Sequence, residues 1–228
     1  MSEILKKIKT RGYWQVIIKP TDFIADRIQD ISKLFPILQK HYVYIRGWDY
    51  PHLEDKKSLH IDTDWVSQDS NWMHNKSSWR FYKSGLFVHL HGMAFDWRDE
   101  SDVWPKDDDW NPFQYIGIGN TIFTFTEIYE LASRLSMSEA GDDHMDVEIT
   151  IFGLNNRKLY LDSSKRYPLD DIYEAHLEKL PIINRISRQE LVSKSKDFAI
   201  KASIEFFQRF GWNPTYEIIK NWQDEHKK

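Results

Sequence analysis

The stretch WRFYKSGLFVHLH, residues 79–91, decides how the chain is built. Two alternating runs, Trp79–Lys83 and Leu86–His91, flank Ser84-Gly85, where glycine supplies the positive φ that a tight turn between strands requires. This predicts an antiparallel hairpin. Because strand side chains alternate, Arg80 and Tyr82 share one side of the first strand, while His89 and His91 share one side of the second.

Upstream, Tyr13–Lys19 alternates with Trp14, Val16 and Ile18 on one face, a half-buried strand that Pro20 ends. Thr21 is placed to cap a helix with Ile24, Ile28, Ile31 and Phe35 along its apolar stripe, and Pro36 should kink or end it. Tyr42–Arg46 reads as a strand closed by Gly47 and Pro51, and residues 54–76 as loops around one short strand. Residues 95–112 read as a surface loop whose charge opposes burial.

Downstream, Thr124 and Glu127 resemble a capping box ahead of Ile128, Leu131, Ala132 and Leu135. Val147–Gly153 and Arg157–Asp162, joined at Asn155-Asn156, predict a second hairpin. Ser187 and Glu190 open a long helix to about Phe210, with Gly211 just past its end. It is apolar on most sides near residues 198–207, so it should cross the sheet centrally. Pro214 starts a last helix that runs to His226. These elements make an α+β fold, a mostly antiparallel sheet of hairpins packed by three or four helices, in one domain over residues 1–228 whose helical segment begins near 187.

The chain has 228 residues, 41% of them hydrophobic and 15% aromatic, enough apolar surface to offset the entropy of ordering it. Cysteine is absent, which excludes disulfide scaffolds, thiolate nucleophiles and Cys-ligated metals and fits a reducing compartment. With no apolar leader and no run long enough to span a bilayer, the expected location is the cytoplasm, away from membranes. Net charge is +4 over residues 1–50 (nine cations, five carboxylates), −11 over 51–150 (eight and nineteen) and +3 over 151–228 (fourteen and eleven). An acidic middle disfavours an extended nucleic-acid surface.

Two constellations carry candidate chemistry. His60, Asp62, Asp64, His89 and His91 combine imidazoles and carboxylates at strand spacing, the ligand types of a divalent transition-metal site that would activate water in a hydrolase or nuclease. The alternative is a solvated sheet face with no cofactor. Tyr44, Arg46, Trp48, Tyr50, Arg80 and Tyr82 combine cations and aromatics suited to a planar ligand or a protein partner, and replacing Arg46 or Arg80 by Ala should leave the fold intact and weaken association. Asp107, Asp108 and Asp109 lack the spacing of a calcium loop, and Gly117-Ile-Gly119-Asn120 is at most an anion nest. Nucleotide-binding glycine motifs, a nucleophile elbow and a His-Glu-x-x-His sequence are all missing.

The phrases YWQVIIKP, RGWDYPHL and SSWRFYKSGLFVHLHG resemble segments that follow Schlafen-AlbA type putative nucleic-acid-binding domains in bacterial proteins, over residues 12–97. The resemblance transfers no catalytic residue. It implies a companion or sensing module in bacterial regulation or defence, which here would act alone or by joining a separate subunit or a second copy. The leading expectation is therefore a non-enzymatic binding or sensor module that acts through a protein partner.

Overall fold

The turn at Ser84-Gly85 forms as expected, with Gly85 at φ +83°. The computed structural model describes residues 2–54, 56–102, 109–163 and 169–225. In chain order the elements are α1 (Glu3–Ile8), β1 (Tyr13–Pro20), α2 (Leu34–His41), β2 (Val43–Tyr44), β3 (Asp49–Tyr50), β4 (His60–Ile61), β5 (Trp65–Trp72), β6 (Asn75–Tyr82) and β7 (Phe87–Gly92). They continue with β8 (Tyr115–Gly117), α3 (Ile118–Ser136), β9 (His144–Phe152), β10 (Lys158–Tyr160), β11 (Lys179–Ser187), α4 (Arg188–Gln208) and α5 (Tyr216–Asp224). Seven strands form one antiparallel sheet in the order β11-β9-β1-β7-β6-β5-β4.

Register divides the sheet into two unlike faces. Leu180, Ile151, Trp14, His91 and Ser77 lie in one row across β11, β9, β1, β7 and β6, and Ile182, Ile149, Val16, His89 and Trp79 lie in the next. On this inner face the β11-β9-β1 half is apolar, whereas β7, β6 and β5 contribute His89, His91, Ser77, Gln68 and Ser70. Helices α2, α3 and α4 cover it, and one continuous buried cluster runs from Trp14 to Ile219. On the outer face α1 lays Ile4 and Ile8 against Leu90, which leaves most of that face to polar residues. No helix among the described residues is long and apolar enough to cross a membrane.

A buried ion pair ties four separate segments together. Asp96 and Arg157 are both fully buried and bond at 2.8 Å (Nη1 to Oδ1). The same carboxylate accepts the amides of Gly12 (2.9 Å) and Phe113 (3.0 Å), while Arg157 donates to the carbonyls of Gly153 (2.6 Å) and Tyr115 (3.0 Å). A Cβ on Gly12 would meet Arg157 Nη2 at 2.1 Å, so only glycine permits this approach. The expectation of an unburied loop fails here: Asp96 and the neighbouring Trp97 are core residues within a short 3-10 stretch, Ala94–Glu100.

Other departures have similar long-range causes. Residues 21–30 do not form a helix, because the Ile28 amide bonds the Lys83 carbonyl and Arg27 bonds Gly141 and Asp142. The helix starts later, at Leu34, with Pro36 in its first turn where no amide donor is needed. The strand expected over Tyr42–Arg46 shrinks to β2, paired only with β3. β5 occupies ground read as loop; Ser67, Gln68, Asp69, Ser70 and Asn71 hid it by being polar on both faces.

α3 begins at Ile118, so Thr124 and Glu127 are interior residues rather than a capping box. The second hairpin is absent, since both edges of β9 are taken by β1 and β11, and β10 pairs in parallel with β8 instead. The helix buried on nearly every side is α3, with α4 beside it through Ser195, Ala199, Ala202 and Ser203. The capping pair Ser187 and Glu190 opens α4 as expected, with Gly211 at φ +86°. The last helix starts at Tyr216, capped by Thr215, rather than at Pro214, while Asp107, Asp108 and His226 lie outside the described residues. Asp96→Ala strips the partner from a buried guanidinium and should cost about 3–5 kcal/mol in denaturant unfolding; a loss under about 1 kcal/mol would show that the pair does not organise these segments.

Candidate functional site

His89 and His91 alternate to the same inner side of β7, and their rings lie 4.9 Å apart. Over them runs the segment from β2 to residue 54, a strap held from below and from the side. Trp79 Nε1 donates to the His52 carbonyl (2.9 Å), and the Gln68 side chain both donates to and accepts from the Glu54 backbone (3.2 and 3.1 Å). Arg46 fastens the strap to α3 through Glu127, with Nε on Oε1 at 2.9 Å, and through Asn120 Oδ1. Tyr50 is thereby pressed edge-on against both imidazoles, at 5.2 and 6.2 Å between ring centres.

These three side chains line an inner chamber of about 150 Å³ together with Trp14, Ser70 and Ser77, and Trp48 and Trp72 are exposed at its rim. The chamber shares Trp14, Arg46, Trp48, Ala94 and Asn120 with a wider outer chamber of about 960 Å³. Both nitrogens of His89, Nε2 of His91 and the Tyr50 hydroxyl are shut from solvent and have no hydrogen-bond partner among the described residues. An unpaired buried polar atom costs about 1–3 kcal/mol, and folded proteins leave few of them. Four in one place is a concentration that the fold itself does not account for.

Burial sets their charge states. Desolvation, aided by nearby His52, lowers His89 to a pKa of about 3. Desolvation first, then His89 and Arg46, hold His91 well below its ordinary value, and desolvation with Glu127 raises the Tyr50 hydroxyl well above its own. At neutral pH these three side chains are therefore uncharged, while Arg46, Asp49, His52 and Lys76 line the same chamber. His52 at its edge moves the other way, raised chiefly by its hydrogen bond to Asp49.

The sequence-predicted sets do not stay together. His60 stands on the short edge strand β4, with Asp62 and Asp64 in the turn after it, and all three are exposed. β5 and β6 separate them from His89 and His91 by three strand spacings, roughly 14 Å, and His60 points to the outer face, in register with Ser67 and Arg80. Those five side chains cannot share one ion, and no group of three or more metal-ligating side chains converges among the described residues.

The cation-aromatic set divides likewise. Arg80 and Tyr82 lie on the outer face, with Arg80 stacked 3.9 Å over Trp65. Arg46, Trp48 and Tyr50 lie on the inner side, and Tyr44 is exposed on the strap with its hydroxyl on the Gly47 carbonyl. The anion nest at Gly119-Asn120 is filled from within, by Asp162 accepting both amides at 2.8 and 2.6 Å. Asp49 and His52 escaped the sequence reading, and Glu127 was read only as half of a cap; the Asp49/His52 spacing inside RGWDYPHL was the available signal.

No family model, curated protein or solved structure matches the chain. The site has to be read from its own chemistry.

Two predictions follow from this geometry. Because the folded protein keeps His89 neutral down to about pH 3 while the unfolded chain protonates near 6.5, its contribution is present above pH 6.5 and drains away as pH falls. His89→Leu should therefore flatten the pH dependence of unfolding free energy by about 1.4 kcal/mol per pH unit between roughly pH 4 and 6; an unchanged slope would place His89 in contact with water. Contrary to the expectation of an intact fold, Arg46→Ala should lose about 3–5 kcal/mol by taking the guanidinium away from the buried Glu127 carboxylate, whereas Arg80→Ala should stay within about 0.5 kcal/mol. Equal losses in the two variants, read by chemical denaturation, would contradict this division of roles.

Proposed function

We propose that the chain is a non-enzymatic sensor module that binds a small uncharged polar molecule between the strap and β7 and acts through a protein partner. The observation that carries this reading is that Tyr50, His89 and His91, the side chains that bear these four unpaired polar atoms, line one chamber. A ligand that pairs with them recovers hydrogen bonds the fold leaves unmade, and that recovery is its affinity.

Binding is favoured over catalysis by the state of the imidazoles. A general base works best with a pKa near the operating pH, and one lowered to about 3 has little basicity to offer. Neither His89 nor His91 bonds a carboxylate that would orient it, and Ser70 is bonded to Glu54 rather than to a histidine.

The output surface is the strap itself. Trp48 is 42% exposed and Tyr44 63%, on a segment whose inner side forms the chamber wall. Large aromatics at a rim are the residues through which partners commonly gain affinity. A ligand that repositions Trp48 changes what a partner meets. The sensing role implied by the resemblance over residues 12–97 agrees with this arrangement.

The test is a thermal-shift comparison of wild type with His89→Phe and Tyr50→Phe against uncharged probes, both non-aromatic (acetamide, urea, glucose) and aromatic (benzamide, cytosine, uridine). At least one probe should raise the wild-type melting temperature by several degrees and that of His89→Phe by much less. If no probe gives a shift that depends on His89 or Tyr50, the chamber is not a ligand site and the reading is wrong.

A further inference from the structure

Resting on that reading, we infer that His52 is a proton-operated latch on the inner chamber: as an imidazolium it bridges Asp49 and Glu54 and closes the way to His89, and on losing its proton it lets go. The bridge lies within the strap. Nδ1 of His52 is 3.3 Å from Asp49 Oδ1, and Nε2 is 3.5 Å from Glu54 Oε1. A neutral imidazole has one N–H and one lone pair, so it can donate to one of these carboxylates while its other nitrogen turns a lone pair toward the second. Both contacts together therefore require the charged form.

The groups around the ring are anchored independently of it. Trp79 Nε1 holds the His52 carbonyl at 2.9 Å, Asp49 Oδ2 accepts the Leu53 amide at 2.7 Å, and Glu54 Oε1 accepts the Ser70 hydroxyl at 3.1 Å. Loss of the proton thus frees a side chain and leaves the backbone in place. The His52 side chain is 44% exposed, within reach of bulk water, yet it lines the chamber together with Asp49, Tyr50, Ser70 and His89. Its charge is felt at His89, where it adds to desolvation in keeping that imidazole neutral. One side chain therefore meets both the solvent and the chamber.

The other charges on the lining have partners of their own. Lys76 of β6 is paired with Glu100 at 2.8 Å, and Arg46 of the strap with Glu127 of α3, Nε to Oε1, at 2.9 Å. Facing His52 are the uncharged His89 from β7, Ser70 from β5 and the two strap carboxylates. The hydrogen bond to Asp49 acts most strongly on His52 and, against desolvation, is reinforced by the charges of Asp49 and Glu54, so the imidazolium persists above its ordinary range. The bridge is complete below about pH 6.5, the value of the unfolded chain, and is lost as pH rises through the higher folded value. The chamber is thus shut in mild acid and opens on the alkaline side of that titration.

Labelling of the full chain with diethyl pyrocarbonate, mapped by mass spectrometry, reads the latch without any ligand. The reagent acylates unprotonated imidazole, and His89 stays unprotonated down to about pH 3, so its rate between roughly pH 5.5 and 8.5, normalised to N-acetylhistidine, reports access alone. In wild type that rate should rise at least about fivefold across the titration of His52 followed by NMR. In His52→Gln it should be high at every pH. In Glu54→Gln, which keeps the backbone bonds to Gln68, the rise should begin at lower pH. A wild-type rate that is flat or nil throughout, a rise that survives in His52→Gln, or a His52 that titrates at or below its ordinary value overturns the inference. The two readings fail separately. If an uncharged probe gives a His89-dependent thermal shift while labelling ignores His52, the latch fails and the sensor reading stands. If labelling follows His52 and no probe binds, the latch stands as a gate to solvent and the sensor reading fails.

Discussion

The Asp96–Arg157 pair is the constraint on which the remaining geometry depends. A buried ion pair is weak evidence for stability in general, because desolving two charges cancels much of their attraction. Its consequence here is positional. The carboxylate can be satisfied only if the amides of Gly12 and Phe113 reach it, and the guanidinium only if the carbonyls of Gly153 and Tyr115 do. That requirement places the start of β1, the stretch after β7, the approach to α3 and the end of β9 around one point. Met93, Ala94, Phe95, Arg98 and Tyr115–Gly117, which line the outer chamber, are thereby set beside the strand that carries the histidines.

The inner chamber shows the same chemistry left unfinished. The Asp96 carboxylate and the Arg157 guanidinium find protein partners; the four polar atoms on Tyr50, His89 and His91 do not among the described residues. Both clusters sit where β1 and β7 run side by side, with Trp14 in register with His91. An apolar row at these positions would pack with less risk, as Val16, Ile149 and Ile182 do in the adjoining strands. Retaining imidazoles there costs stability, and such local costs are characteristic of sites that meet a ligand.

Legibility followed the range of the forces. The hairpin at Ser84-Gly85 and the helix opened by Ser187 and Glu190 were readable because turn and cap chemistry act within a few residues. The shared side of His89 and His91 followed from alternation alone. What could not be read were decisions made by distant partners: Lys83 holding the Ile28 amide, Arg157 drawing a charged stretch into the core, and Arg46 claiming Glu127 from a supposed cap. The proposed metal set failed for a topological reason, since no pattern within residues 60–91 states that two strands will come between its halves, or that its members will point to opposite faces. The aromatic set failed in the same way, with Arg80 and Arg46 on opposite sides of one sheet.

The Arg46–Glu127 bond also limits how the cleft can open. Glu127 is wholly buried on α3, so lifting the strap would separate a buried carboxylate from its guanidinium, a penalty of several kcal/mol. Trp79 and Gln68 hold the other end of the strap at residues 52–54. Between these anchors the backbone is fixed, and entry has to proceed through side chains at the rim. Trp48, whose ring lies 5.5 Å from the Arg46 guanidinium, and Trp72, 58% exposed, are the large exposed groups there. On the proposed sensor reading, a ligand would act on the outer surface by changing where one or two indoles rest, a displacement small in distance yet large in the apolar area a partner would meet.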